Sequence, residues 1–239
     1  MKSNALSPES ANPLYRQLII RLRSDITSGV YPVHSRIPSE LELCGTYGVS
    51  RVTVRKALAE LTQEGLLKRH QGKGTFVSIP RIRRNLREIN SFNETCRMMR
   101  CTPTSLLLHA GVTFPSAEDR AELLLPPEAQ QVVEIVRLRA ADEMPVMLEI
   151  NRFPIAFQWL LDEDLTGSLY EVLRGHGFEA AQATHDISLC YATPAQARHL
   201  DVSAGDALLN LHEVIDDQHG QPLHISQQYI RGDRFTFRI

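Results

Sequence analysis

The sequence predicts an α+β protein in two parts. A small helical domain with a two-stranded hairpin comes first, and an antiparallel sheet with helices on its face or ends follows. Three observations predict this. Apolar residues recur at helical spacing through the first sixty residues or so. Runs bounded by turn residues and paired as hairpins fill the second half. Charge also divides unequally. Residues 1–88 hold 15 Lys and Arg against 7 Asp and Glu, and the remainder holds 11 against 21, within a total of −2 over 239 residues. A basic front on an acidic body suits a polyanion-binding module joined to a separate sensor.

The elements follow in order. Residues 1–11 are polar and are expected to be disordered, so the first domain is set at 12–79. Pro13 precedes an apolar stripe at Leu14, Leu18, Leu22 and Ile26, which predicts one helix ending near Gly29. Ser39 is a good N-cap, and Glu42 three residues on completes a capping box. Leu41, Leu43 and Cys44 are expected to face partly inward from this second helix. Tyr47-Gly48-Val49 supplies a tight turn. Ser50 then caps a third helix, whose stripe is Val54, Ala57, Leu58 and Leu61. Arg51 and Arg55, four apart, share the opposite face. Two arginines at the start of such a helix can reach guanine N7 and O6 in a major groove. Gly65 ends the helix. Leu66-Leu67 open a strand, His70-Gln71-Gly72-Lys73-Gly74 form a tip, and Thr75-Phe76-Val77 return. The layout is a winged helix-turn-helix. The glycine tip lacks the strand–loop–helix context of a nucleotide-binding loop, but it can approach a phosphate backbone or a minor groove closely.

This segment resembles the DNA-binding domain of GntR-type bacterial transcription regulators. The resemblance rests on PLYRQLIIRLRSDITSGVY, IPSE-x-EL, GVSRVTVRKAL, L-x-x-EGLL and QGKGTFV, and covers nearly all of residues 13–78. It implies DNA contacts at Ser39, Ser50, Arg51, Thr53, Arg55, Gln71, Gly72 and Lys73. There is one departure. The family usually carries a guanine-reading arginine where this chain has Leu41, which cannot donate a hydrogen bond.

Residues 80–88, PRIRRNLRE, read as a basic linker, and 89–239 as the second domain. Ser116–Leu125 reads as a capped helix with acids in its first turn. Val132–Arg139 and Val146–Phe153 read as strands paired across Ala141–Met144. Ser168–Arg174 is a short helix, His185–Tyr191 a strand, and Thr193-Pro194-Ala195-Gln196 a capped helix start. Ala207–Ile215 and Leu223–Ile230 make a second hairpin, and Phe235–Ile239 a last strand. INSF, VRLRAADEMPVMLE, GSLYEVL, TPAQA and YIRGDRFTF resemble the UTRA ligand-binding domain, which places the chain in the HutC subgroup of GntR-type regulators. That domain has a chorismate-lyase-like fold.

Arg137 and Arg139 lie two apart on a strand and so share a sheet face. Two guanidiniums on one face call for an anion or carboxylates between them. Ser168 opens a helix whose first N–H groups can also hold an anion. The expected pocket has Arg137, Arg139, Ser168, Tyr170 and Ser91 on a phosphate or carboxylate, and Glu149, which shares a face with Asn151, accepting from hydroxyls. Phe92 belongs to the same early segment, and Tyr229 is a weaker candidate. The resemblance implies that matching positions line the effector pocket in sugar-phosphate-sensing members.

Other classes are disfavoured. No nucleophile elbow, Cys–His signature or metal-ligand spacing occurs among nine histidines and four cysteines, so the reading is not an enzyme, with no metal and no cofactor. An architectural DNA protein would leave some 150 residues without a task. There is no apolar signal core and no run near ~18 apolar residues, so a cytoplasmic protein is expected. The expected partners are double-stranded operator DNA, a small anionic effector and a second copy of the chain, with no membrane.

Overall fold

The structure is a computed structural model describing residues 6–7, 10, 12–78 and 81–238. The expectation of disorder over 1–11 falls largely outside the described residues. The chain divides after Arg81 into two compact units, and the architecture is α+β.

The first unit holds α1 (Leu14–Thr27), α2 (Glu40–Tyr47), α3 (Arg51–Gln63), β1 (Leu67–His70) and β2 (Gly74–Val77). Local chemistry sets each boundary. Ser39 Oγ accepts from the Glu42 N–H while the Glu42 carboxylate accepts from the Ser39 N–H, a complete capping box. Gly48 closes α2 at φ 66°, in the left-handed region that glycine enters without strain. Ser50 Oγ accepts from the Thr53 N–H to start α3. Leu18, Leu22, Leu43, Val54, Ala57 and Leu61 are buried in one core, each large aliphatic side chain contributing about 1.5–3 kcal/mol. Leu41 corrects an expectation: it is 63% exposed. Leu43 and Tyr47, four apart, take the core face of α2, and Leu41, two residues from Leu43, is turned away from it.

The second unit runs β3 (Ile82–Asn85), α4 (Phe92–Met98), β4 (Pro103–Thr113), α5 (Ala117–Glu122), β5 (Val132–Ala141), β6 (Met144–Pro154), a 3₁₀ segment (Ile155–Asp162), α6 (Leu169–Gly175), β7 (Ala180–Tyr191), α7 (Pro194–Leu200), β8 (Ala207–Asp217), β9 (Pro222–Arg231) and β10 (Phe235–Arg238). Six strands form one antiparallel sheet in the order β4-β5-β6-β9-β8-β7. Asp142 and Glu143, at φ 49° and 66°, turn β5 into β6, the pair of positive φ angles that a two-residue hairpin uses. One face of the sheet packs on the 3₁₀ segment and α6 through Val133, Ile135, Phe153, Leu160 and Leu173. The other packs on α7 through Leu148, Leu208, Ala197 and Leu200.

Residues 82–85, within the stretch read above as a basic linker, have regular structure. They form β3, which pairs parallel with β10, Ile82 opposite Phe235. Ile82 and Leu86 are buried in a cluster with Phe235 and Ile230, so apolar burial anchors a stretch that its charges made look solvated. Pro80 lies outside the described residues.

Candidate functional site

In the first unit, the N-terminal turns of α3 carry exposed Arg51 and Arg55. Arg55 Nε donates to Glu40 Oε2 at 2.8 Å, and Arg69 Nη2 donates to Glu40 Oε1 at 3.3 Å. Both arginines remain well exposed, so each pair contributes little stability and mainly fixes direction. Arg51 makes no ion pair among the described residues. Leu41 and Val52, 63% and 77% exposed, stand on the first turns of α2 and α3, an apolar element among charges. Ser39, Ser50 and Thr53 serve the caps: Ser39 Oγ donates to Glu42 Oε2, and the Ser50 and Thr53 hydroxyls lie 2.9 Å apart. At the tip, Gln71, Gly72 and Lys73 are exposed. Gly74 has φ 115°, and a Cβ there would sit 2.7 Å from Arg36 Nε, so the tip requires a glycine at this position.

In the second unit, a cavity opens on the sheet face that carries Arg137. Its empty space, open solvent at the mouth included, is about 530 Å³. Strand register builds its floor. Arg137 pairs with Glu149, Glu149 with Gln228, Asn151 with Ser226, and Ser226 with Glu213. Residues two apart share a face, so polar side chains from four strands converge. The first turn of α4 supplies Ser91, Phe92 and Thr95, and α6 supplies Leu169 and Tyr170.

Arg139 is 1% exposed. Nη2 donates to Asn93 Oδ1 at 2.5 Å, and the guanidinium lies 4.6 Å over the Phe92 ring. Its Nε and Nη1 have no partner among the described residues. Burial lowers its pKa to about 10, and it remains charged. Arg137 is held more fully: Nη2 donates to Glu149 Oε2 at 2.5 Å, and Nη1 to the Leu165 and Gly167 carbonyls. Burial would raise the Glu149 pKa, but Arg137 and then Arg139 outweigh it and hold the carboxylate at about 2. A second ion pair closes another wall. Arg84 binds Glu213 bidentately at 2.8 and 3.1 Å and also donates to Gln228. His185 Nδ1 stands 2.8 Å from Glu213 Oε1. Burial raises the Glu213 pKa, and Arg84 and His185 more than reverse it.

Of the expected pocket residues, Ser91, Phe92, Arg137, Arg139, Glu149 and Tyr170 line this cavity. Ser91 does so while capping α4, accepting from the Glu94 N–H. Ser168 is buried beneath α6, its Oγ accepting from the Glu171 N–H at 3.4 Å, and is not in the lining. Tyr229 is on the other sheet face with Leu148 and Leu208, because Gln228 beside it in sequence points into the cavity. Arg84, Glu213, His224 and Gln228 were missed. Polar residues at 224, 226 and 228, every second position of one strand, were the available signal for β9. His224 is a buried histidine on β9. It is 1% exposed, stacked 4.8 Å from Phe153, and burial lowers its pKa to about 4.

Among the described residues, Glu118, Glu122 and His212 could together hold a metal ion. There His212 Nε2 already lies 2.9 Å from Glu122 Oε2. No helix of the described residues is long and apolar enough to cross a membrane.

Comparison with known proteins fits these two arrangements. Residues 14–77 match the model of the bacterial regulatory proteins of the gntR family, and residues 99–236 match the UTRA domain. The chain is 32% identical to the HTH-type transcriptional regulator YurK of Bacillus subtilis, with 98% of each chain covered. It is 30% identical to the HTH-type transcriptional repressor NagR of the same organism, covering 97% of this chain and 96% of that one. The crystal structure of PhnF from Mycobacterium smegmatis superimposes with a TM-score of 0.73 at 25% identity, over 95% of this chain and 97% of that one. The chain is therefore a DNA-binding transcription regulator of the GntR family, with a UTRA domain behind its helix-turn-helix.

Proposed function

We propose that this regulator is a cytoplasmic repressor that holds a palindromic operator as a homodimer and releases it when a small anion enters the UTRA cavity. The observation that carries the reading is Arg139, a buried cavity-lining residue whose guanidinium has two unpartnered nitrogens, Nε and Nη1, among the described residues. A buried cation with free donors favours a charge-assisted hydrogen bond to phosphate or carboxylate. Operator contact falls to Arg51 and Arg55 in the major groove and to Gln71, Gly72 and Lys73 at the phosphates or the minor groove. Two copies on a two-fold axis match two half-sites. The edge strand β7 supports self-association: Ile187, Leu189 and Tyr191 project from one side, 42%, 62% and 66% exposed, and an uncovered edge invites pairing. Coupling of about 1–3 kcal/mol between the cavity and the operator suffices for control. The repressor sense follows the name of the relative NagR.

The test compares operator affinity with and without candidate anions, in wild type and in Arg137→Ala and Arg139→Ala. Release by an anion in wild type, lost in Arg139→Ala, is expected. Equal operator affinity with and without every ligand that binds the cavity would remove the release mechanism.

A further inference from the structure

A second group of metal-ligating side chains lies away from the cavity. His212 and Glu213 are neighbours on β8, so their side chains leave opposite faces of the sheet. Glu213 lines the cavity, and His212 meets α5 on the other face. From α5 come Glu118 and Glu122, four apart and on one side of the helix. One ligand atom from each of the three residues lies within 4.8 Å of the other two. Nearby acids are already engaged, since Asp119 and Glu134 both hold Arg152. Glu118 is exposed and makes no ion pair among the described residues. Glu122 and His212 are 90 positions apart, so no local spacing in the sequence announces the group.

The imidazole is oriented from behind. Nδ1 lies 3.0 Å from Gln227 Oε1. The Gln227 amide nitrogen donates to Asn210 Oδ1, and Asn210 Nδ2 donates to Ser188 Oγ at 3.2 Å. With its nitrogen committed to Asn210, Gln227 turns its oxygen to the ring, so Nδ1 carries a proton and donates it. A metal-binding histidine is fixed in this way, its second nitrogen donating to an outer acceptor. Nε2 then points at Glu122, 3.0 and 2.9 Å from its two oxygens. A lone pair on Nε2 cannot face a carboxylate unless a positive charge stands between them. A proton supplies one charge against the two carboxylates of Glu118 and Glu122, and a divalent cation supplies two.

We propose that His212, Glu122 and Glu118 bind a zinc ion that staples α5 to the sheet. One imidazole with two carboxylates suits zinc, whereas magnesium and calcium take oxygen ligands. Bonds of about 2.0–2.2 Å at tetrahedral angles set ligand atoms roughly 3.4 Å apart. Glu122 therefore opens slightly from Nε2, and the exposed Glu118 side chain closes in. The fourth position falls to water. The staple has a task, because α5 is only six residues long. Its other attachments are Leu123, which follows it and is buried with Val132 and Ile225, and the 3.6 Å contact of Asp119 with Arg152. The site does not depend on the effector reading of the cavity, so either can fail alone.

The test is titration calorimetry of the full-length protein, first stripped with a chelator, against zinc chloride, with magnesium chloride as the comparison. Wild type should take zinc at about micromolar affinity or tighter and leave magnesium unbound. Glu118→Gln and His212→Gln should each weaken zinc by about tenfold or more. Glu118→Gln alters an exposed side chain, so it decides the matter even if His212→Gln fails to fold. Cysteines and other histidines also attract zinc, and cobalt(II) reports which donors are used. Visible bands without thiolate charge-transfer absorption, diminished in Glu118→Gln, are expected. No zinc binding by wild type at a hundred times that concentration would overturn the proposal. So would a thiolate band, or zinc affinity unchanged in Glu118→Gln, since His212 and Glu122 would then be an ordinary ion pair.

Discussion

The two units use arginine in opposite ways. In the helix-turn-helix, Arg51, Arg55 and Arg69 are exposed, and two of them lean on one carboxylate, Glu40. In the UTRA sheet, Arg137 and Arg139 are 2% and 1% exposed. An exposed guanidinium keeps its hydration until a phosphate displaces it, and its contribution grows with the number of phosphates met and shrinks with salt. A buried guanidinium lost its hydration when the chain folded, so only a partner within the protein or a ligand can compensate it. The first arrangement suits a long polyanion, and the second suits one small anion. The difference can be broken at either end.

The largest effect is expected inside the sheet. Glu149→Ala leaves Arg137 and Arg139 buried without the carboxylate that faces both. Removing one partner of a buried pair costs about 3–5 kcal/mol, so the UTRA unit should unfold at distinctly lower urea concentration. Inorganic phosphate should restore part of the loss, because it supplies the missing anion. Unchanged urea midpoints in this variant would mean that the buried arginines do not depend on Glu149.

Acid should act on the same face. His224 has its folded pKa lowered to about 4 by burial, against about 6.5 when unfolded. A depressed value means that the unfolded chain binds the proton first. The stability held by neutral His224 is complete above about pH 6.5 and is lost progressively as pH falls to about 4, for roughly 3 kcal/mol in all. His224→Phe, which keeps a ring against Phe153, should flatten that limb of the curve. Parallel wild-type and variant curves across this range would show that His224 is not held neutral.

These two residues also mark how far sequence reaches. The helix-turn-helix was legible because its determinants are local: capping boxes and stripes within a few turns. Arg137, Arg139 and Glu149 were legible because residues two apart on a strand share a face. Arg84, Glu213 and His224 were not, because distant strand pairing assembles them. Arg84 reaches the cavity only because β3 pairs with β10, and Glu213 faces Ser226 only through the β8–β9 register. The strand β4 went unread because a bulge between Leu107 and His109 breaks its alternation. The 3₁₀ segment went unread because its buried Phe157 and Leu160 follow no strand period.

At the exposed end, Arg51→Ala should weaken operator binding by about 1–3 kcal/mol, roughly fivefold to 150-fold, and relax the preference for guanine at one position. Its effect should depend on operator sequence. That dependence separates a base contact from a phosphate contact, whose loss weakens all sequences alike and lowers the salt slope by about one. A uniform loss across operator variants would move Arg51 from base reading to backbone positioning.

The smallest effect concerns Leu41. It is exposed beside charged residues on the first turn of α2, and it makes no hydrogen bond to a base edge. What an aliphatic side chain can read in a major groove is the thymine methyl. Burying roughly one methyl against another contributes about 0.8 kcal/mol, a preference of about fourfold for thymine at one half-site position. Leu41→Arg replaces that contact with a bidentate donor. Selection of operators from a randomised pool should then show guanine rising at that position while the Arg51-dependent position stays fixed. If wild type and Leu41→Arg select the same half-site, Leu41 faces solvent rather than bases, and reading falls to α3 and the wing alone.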